Sequence, residues 1–199
     1  MISLIIYFGE GAALVAPFFI SFDVTFCFMN QENLSRFVQL FTLNDTEATQ
    51  RVSERLALVL TDAAAYQTQF AGELEERGIL AALPAQELRD LALLDALLGE
   101  ELLWESDWKD SAADLVYGIN ETLTQQRRPM RLSEPASGRA TATGPEALDI
   151  VQDLAEPAGL AVVLFTLDSN SYALSVVADS QADEARQLAR ELGFGITVY

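Results

Sequence analysis

The sequence predicts an α+β fold, in which an N-terminal helical region packs against a small C-terminal mixed sheet. Residues 29–126 repeat apolar side chains at the i, i+3, i+4 spacing of amphipathic helices. Residues 145–199 place short β-prone runs between helical patterns, in the order α-β-β-α-β. A Ser/Pro/Gly-rich stretch separates the two, so we expect a linker at 127–144.

The first 28 residues form an apolar extension in which only Glu10 and Asp23 are charged. A membrane-spanning helix needs about 20 consecutive apolar residues, whereas Pro17 and these acids divide the run into short pieces. A secretory signal needs a basic start, which is missing. We therefore expect translation to begin at Met29, and we leave open an apolar arm or an atypical export segment.

The helical region is expected to contain five helices, separated by turn residues. Asp95 interrupts the apolar run of the fourth, and we expect it at an edge with a path to solvent, since acids are seldom buried. The helices are marked by Leu34 to Phe41, Val52 to Leu60, Asp62 to Arg77 before Gly78, Pro84 to Leu98 before Gly99, and Lys109 to Gln125.

The linker starts with a basic cluster, Arg127-Arg128-Pro-Met-Arg131. In so acidic a chain we favour the interpretation that these arginines neutralise the protein's own carboxylates, with an acid-binding patch as the alternative. After it, a helix from Pro145 leads to an almost wholly apolar run at 160–167, which we expect to be a central strand buried on both faces.

The rest of the C-terminal unit reads as a hairpin, a helix and a last strand. Asp168-Ser-Asn-Ser171 is typical of a turn, and Tyr172 begins the returning strand. A helix capped by Ser180 then precedes a terminal strand at 194–199. We expect the hairpin on one side of the central strand, the last strand on the other, and helices over one face.

The seven residues from Trp104 to Asp110 hold both tryptophans and the single lysine of the chain. Asp107 and Asp110 have the spacing of a capping box, so we expect Asp107 as N-cap and Asp110 as the N3 acid of the fifth helix. Trp104 and Trp108 would then bury their indoles against helices. The alternative is a carboxylate cluster of Glu105, Asp107 and Asp110, tuned by Lys109, for a hard cation or acid/base work.

Composition excludes several classes of function. The chain has no histidine, which excludes Ser-His-Asp and Cys-His catalysis. Its one cysteine, Cys27, fits a reducing compartment, so we expect a cytoplasmic protein. The 12 basic and 30 acidic residues give 12 − 30 = −18, which disfavours nucleic acid and favours a basic protein partner. We expect neither a cofactor nor a membrane partner.

Four segments resemble an uncharacterised bacterial family, a domain of unknown function of the DUF6630 type. The resemblance covers about residues 34–199 and implies no established activity. This chain has Asn170 where the family's turn has a second Asp, so no role of that carboxylate is expected here. The segments are Ala64-Ala-Tyr66, Leu91-Ala-Leu-Leu-Asp-Ala-Leu97, Glu105-x-Asp-Trp-Lys109 and Leu167-Asp-Ser-Asn-Ser-Tyr172.

We expect a noncatalytic protein-binding module, because acidity and aromatic anchors suit a basic partner. The alternative is a carboxylate-based metal-binding protein or hydrolase, in which Asp168 joins the acids of the box and Tyr172 donates a proton or hydrogen bond. We lean against catalysis, because turn acids need no active site to explain them. The candidate binding residues are Trp104, Glu105, Asp107, Trp108, Lys109, Asp168 and Tyr172.

Overall fold

The computed structural model describes residues 20–43, 45–166 and 171–199. It confirms an α+β protein with an N-terminal helical region and a small sheet. Residues 20–28 of the expected apolar extension belong to the first helix, and residues 1–19 lie outside the described residues.

Helices and strands follow one another as the periodicity predicts, with two differences. The helix expected from Asp62 to Arg77 is two short helices that meet at Phe70. A strand precedes the fifth predicted helix. The elements are α1 Ile20–Thr42, α2 Thr46–Thr61, α3 Ala63–Gln69, α4 Ala71–Glu76, α5 Ala85–Leu98, β1 Trp104–Asp107, α6 Ala112–Gln125, α7 Pro145–Ala155, β2 Leu160–Phe165, β3 Ser171–Ala178, α8 Ala182–Leu192 and β4 Ile196–Val198.

The sheet has the strand order β1-β3-β2-β4. As expected, β2 is central, with the hairpin strand β3 on one side and β4 on the other. The expectation of a mixed sheet was wrong, since all three pairings are antiparallel. The reason is that α8 carries the chain back so that β4 runs in the direction of β3, and β2 lies between these two strands.

Strand β1 comes from the helical region and pairs with the edge of the C-terminal unit. Its register places Trp104 opposite Leu174 and Asp107 opposite Ser171. One sheet therefore combines strands from before and after the linker. That the boundaries at 126/127 and 144/145 separate two units stays a prediction.

Helices cover both faces of the sheet, whereas the sequence led us to expect one covered face. Side chains alternate along a strand, so Val163 and Phe165 of β2 join a core with α1, α2, α5 and α8. Leu160 and Val162 point the other way, into a second core with α6 and α7. This arrangement explains why β2 is apolar at every position.

Residues 127–144 follow α6 without a helix or a ladder-forming strand, and side chains fix them to the rest of the molecule. The Asn120 amide accepts from the Leu132 N–H at 2.7 Å and donates to the Leu132 carbonyl at 3.1 Å. Arg127 lies 3.5 Å from Asp45, and Arg131 lies 3.1 Å from Glu121. Both arginines thus pair with the protein's own carboxylates, as the neutralising interpretation predicts. Arg128 of the same cluster differs, because it is half-buried and its Nε donates to the Gln126 side chain at 2.7 Å.

Candidate binding cleft

A cleft of about 530 Å³ lies between the end of α5, strand β1 and helix α6. We call it the acidic cleft, because three glutamates and two aromatic side chains line it, and neither Lys nor Arg appears among its described lining residues. These five residues are Glu101, Trp104, Glu105, Tyr117 and Glu121.

The chain enters the cleft through a tight turn at the end of α5. Glu101 takes a left-handed conformation with φ 57°, and the Leu102 N–H bonds to the Leu97 carbonyl at 2.9 Å. The turn buries Leu102 and Leu103 in the core and leaves Glu101 exposed. It therefore places an acid at the cleft mouth and starts β1 in the extended direction.

The aromatic wall depends on a glycine in α6. Trp104 lies against the backbone at Gly118, where a Cβ atom would be only 2.2 Å from the indole ring. The indole also meets Tyr117 edge to face, with ring centroids 5.7 Å apart and planes at 81°. Tyr117 is 59% exposed, so one ring of the pair is open to a ligand.

The three glutamates are only partly neutralised. Arg77 Nη2 lies 3.3 Å from Oε2 of Glu105, whose side chain is 31% exposed. Arg131 Nη2 lies 3.1 Å from Oε1 of Glu121. Within the described part of the chain Glu101 makes no ion pair, so the cleft keeps a negative potential.

Behind the cleft lies a buried ionic network around Asp95, which we call the Asp95 cluster (Arg55, Tyr66, Glu73, Arg77 and Asp95). Asp95 is only 8% exposed, so the expected path to solvent was wrong. Its Oδ1 accepts from Arg77 Nε at 2.7 Å, and its Oδ2 lies 3.7 Å from Arg55 Nη2. Burial raises the pKa of Asp95, and the charges of both arginines act against that rise.

Tyr66 closes the cluster on the side away from solvent. Arg55 donates to the Tyr66 hydroxyl oxygen at 3.1 Å from Nε and 3.0 Å from Nη2, and also to Glu73 at 2.8 Å. Tyr66 is fully buried, and burial raises the pKa of its hydroxyl. A ligand cannot reach this group, so the cluster holds helices together. Arg77 connects the cluster to the cleft through its ion pair with Glu105.

The sequence-predicted residues separate into two places. Trp104 and Glu105 line the acidic cleft. Asp107, Trp108 and Lys109 form an exposed turn after β1, in which the Lys109 N–H donates to Asp107 Oδ1 at 2.9 Å. The Lys109 ammonium lies 5.5 Å from the centroid of the Trp108 ring, within cation–π range.

The expected helix cap at Asp107 and Asp110 was wrong by four residues. Asp110 instead accepts from the Ser106 hydroxyl and from the Asp107 N–H, which closes the turn after β1. The capping box of α6 consists of Ser111 and Asp114. The Ser111 N–H donates to Asp114 at 3.0 Å, and the Asp114 N–H donates to the Ser111 hydroxyl at 3.3 Å.

The alternative carboxylate site gains no support from the residues that are described. In these ranges, no three acidic, cysteine or histidine side chains are placed to hold a metal ion. Asp168 lies outside the described residues. Tyr172 is half-buried in β3 opposite Ser106, and burial, followed by the charge of Tyr199, raises its pKa.

Sequence reasoning missed Glu101, Tyr117 and Glu121. A signal was available for the last two, because residues four apart share one face of a helix. The large aliphatic side chains of α6 are buried, at Leu115, Val116, Ile119 and Leu123. Tyr117 and Glu121 therefore had to lie on another face, where an aromatic residue beside an acid indicates a binding surface.

Fold and site together define an α+β protein with helices on both faces of an antiparallel sheet and an acidic cleft with aromatic lining at one sheet edge. The chain belongs to the family described as Domain of unknown function (DUF6630), whose model matches residues 33–199. This match confirms the resemblance to that family over nearly the range expected from the sequence. Searches of curated proteins and of solved structures found no match. Among the described helices, none is both long and apolar enough to cross a bilayer.

Proposed function

We propose that this protein is a noncatalytic cytoplasmic binding module that holds a basic segment of a partner protein in the acidic cleft. The observation that carries the proposal is the grouping of Glu101, Glu105 and Glu121 around the open ring of Tyr117. Interfaces draw most of their affinity from a few aromatic and charged anchors in a concave site, and this cleft offers both kinds.

The charge of the whole chain supports the same partner. A net charge of −18 attracts basic surfaces over long range and accelerates their encounter with the protein. From Met29, the expected start, the sequence contains no cysteine and so offers no disulfide, which supports a reducing compartment as the place of action. Trp108 and Lys109, on the exposed turn after β1, extend the proposed contact surface beyond the cleft.

A tagged pull-down from the native host tests the proposal. The unmodified protein should retain a basic partner in stoichiometric amount, and a Tyr117→Ala/Glu101→Gln variant should lose it. Both changed side chains are exposed, so circular dichroism should show an unaltered fold. The matched control is Trp108→Ala/Lys109→Ala, which changes an aromatic and a charged residue outside the cleft and should weaken capture less.

Two results would contradict this assignment. Retention of the partner by the cleft variant, with loss by the control variant, would place binding on the turn after β1. If all three proteins captured the partner equally at about 0.5 M salt, neither the net charge nor the cleft would account for binding, because salt at this concentration screens attraction between exposed charges.

A further inference from the structure

We infer that the group received by the acidic cleft is an arginine guanidinium from an extended basic segment, stacked on Tyr117 and bonded to Glu105 and Glu121. This inference rests on the proposed function and names the chemistry of its ligand. A lysine ammonium and a methylated ammonium are the competing cations. Of the three features given below, the first two favour arginine over both, and the third favours a peptide over a free amino acid.

The first feature is that two glutamates of the cleft each bond an arginine through one carboxylate oxygen only, among the described residues. Arg77 bonds Oε2 of Glu105, and Arg131 bonds Oε1 of Glu121. The other oxygen of each carboxylate makes no hydrogen bond to any described residue. A guanidinium has five N–H donors in a fixed plane and can reach two separate acceptors, whereas an ammonium is a compact, strongly hydrated charge.

The second feature is an equivalent arrangement inside the same molecule. The Arg55 guanidinium lies over the Phe70 ring, 4.1 Å from its centroid, and bonds Glu73 at 2.8 Å. Phe70 and Glu73 are three residues apart. Tyr117 and Glu121 bring the same two groups, four residues apart, to the wall of the cleft. This protein thus already binds a guanidinium with an aromatic face and a nearby glutamate.

The third feature is size. A volume of about 530 Å³ lies within the usual range for ligand pockets and is too large for one side chain. Thr124 and Gln125, which are both exposed, add neutral hydrogen-bonding groups to the lining. These groups suit the backbone on either side of the arginine, so the fitting occupant is an extended peptide and not a free amino acid.

Peptide titration tests the inference. We would use a Trp108→Phe protein, in which Trp104 is the single tryptophan, and capped Gly-Gly-X-Gly-Gly peptides with X as arginine, lysine, trimethyl-lysine or the neutral isostere citrulline. The arginine peptide should change Trp104 fluorescence and bind at least about tenfold more tightly than the others, a difference of about 1.4 kcal/mol. Glu121→Gln and Tyr117→Leu should each weaken it about tenfold. Glu146→Gln, which removes an exposed acid from α7, should leave affinity unchanged.

The outcomes separate this inference from the proposed function. Equal or tighter binding of a lysine peptide overturns arginine selectivity and leaves a basic-segment module in place. If no peptide binds, but the pull-down still captures a partner that the Tyr117→Ala/Glu101→Gln variant loses, the arginine assignment is wrong and the proposed function stands. Failure of every peptide with no captured partner overturns both. If neither Glu121→Gln nor Tyr117→Leu changes the affinity for the arginine peptide, the peptide binds outside the cleft and the inference is wrong.

Discussion

At the scale of single residues, Gly118 decides whether Trp104 can line the cleft. Alanine normally stabilises a helix by about 1 kcal/mol relative to glycine. Here the added Cβ would lie 2.2 Å from the indole, so Trp104 must leave its position. We expect Gly118→Ala to lower the free energy of unfolding by about 1–3 kcal/mol, as overpacked sites do. Urea unfolding, with a red shift of native tryptophan fluorescence, checks this.

Gly72 in α4 provides the matched control, since a Cβ there would meet nothing within 4 Å. Gly72→Ala should therefore stabilise the protein by about 0.5–1 kcal/mol. If Gly118→Ala were as stable as Gly72→Ala, the contact between Trp104 and α6 would be wrong.

Asp95 should be the most costly acid to remove. Asp95→Ala leaves Arg77 and Arg55 without their shared buried counter-charge, and breaking such pairs costs about 3–5 kcal/mol. Glu73→Gln also removes a partner of Arg55, but its side chain is 50% exposed, so we expect a loss below about 1 kcal/mol. Thermal unfolding of both variants tests the contrast. Equal losses would mean that the Asp95 cluster is as hydrated as a surface pair.

The burial of Asp95 shows a limit of sequence reasoning at this scale. Its neighbours in α5 are apolar, and nothing near it in the sequence indicates a counter-charge. Arg77 follows α4, and Arg55 comes from α2. Only the packing of three helices brings them together, so the pattern correctly predicted a helix and could not predict the environment of Asp95.

At the scale of elements, helix α6 should depend on Ser111. Ser111→Ala removes the side-chain acceptor for the first turn, and such losses cost about 1 kcal/mol. The matched control is Asp107→Asn, at the position the sequence suggested as the cap. The Asp107 side chain is exposed and accepts from the Lys109 N–H of its own turn, so this variant should stay within about 0.5 kcal/mol of the unmodified protein. If urea unfolding showed Asp107→Asn to be less stable than Ser111→Ala, the cap predicted from the sequence, Asp107, would be the correct one.

The second half of this capping box should show a defined pH dependence. Hydrogen bonds from the Ser111 hydroxyl, and then from its backbone N–H, lower the pKa of Asp114 below its ordinary value of 3.8. A lowered carboxyl pKa contributes stability above pH 3.8, and this is lost as pH falls through the lowered value. The stability difference between the unmodified protein and Asp114→Asn should therefore shrink below pH 3.8. If this stability difference grew as the pH fell, the pKa of Asp114 would be raised in the folded protein and not lowered.

Elements differ in how far the sequence predicts them. Helix α5 and strand β2 are long apolar patterns with clear ends, and both appear where expected. Strand β1 is four residues with mixed burial, so its pairing to β3 depends on a partner that follows the linker. Asp107 and Asp110 have the spacing of a capping box, so the sequence placed the start of α6 at Asp107. Ser111 and Asp114 have the same spacing four residues later, and the pattern alone could not choose between the two pairs.

At the scale of the whole molecule, the net charge of −18 should make stability rise with salt. Like charges repel in the folded state, and raising NaCl from about 10 to 150 mM shortens the screening length from about 30 to 8 Å. The ion pairs that salt also weakens are mostly exposed and contribute little each. We expect the Tm to rise by about 2–4 °C per kcal/mol of relieved repulsion. A falling Tm would mean that ion pairs outweigh repulsion.

The acidity could be read from composition alone, whereas the cleft could not. Trp104 and Glu105 were recognised by their unusual local sequence. The other lining residues come from two different segments: Glu101 from the turn after α5, and Tyr117 and Glu121 from α6. None of them is part of an unusual local sequence. The site exists because β1 joins the sheet and places its two residues between those elements.

The shared sheet also predicts how the molecule unfolds. One core joins α1, α2 and α5 to the sheet, and the other joins α6 and α7 to the opposite face of the same strands. Neither core can be lost without exposing β2, so unfolding should be a single transition, with far-ultraviolet circular dichroism and tryptophan fluorescence coincident in urea. A fragment of residues 145–199 lacks β1 and α6, and it should show no cooperative transition by itself. Two separated transitions, or a stably folded fragment, would instead establish the linker at 127–144 as a boundary between independent units.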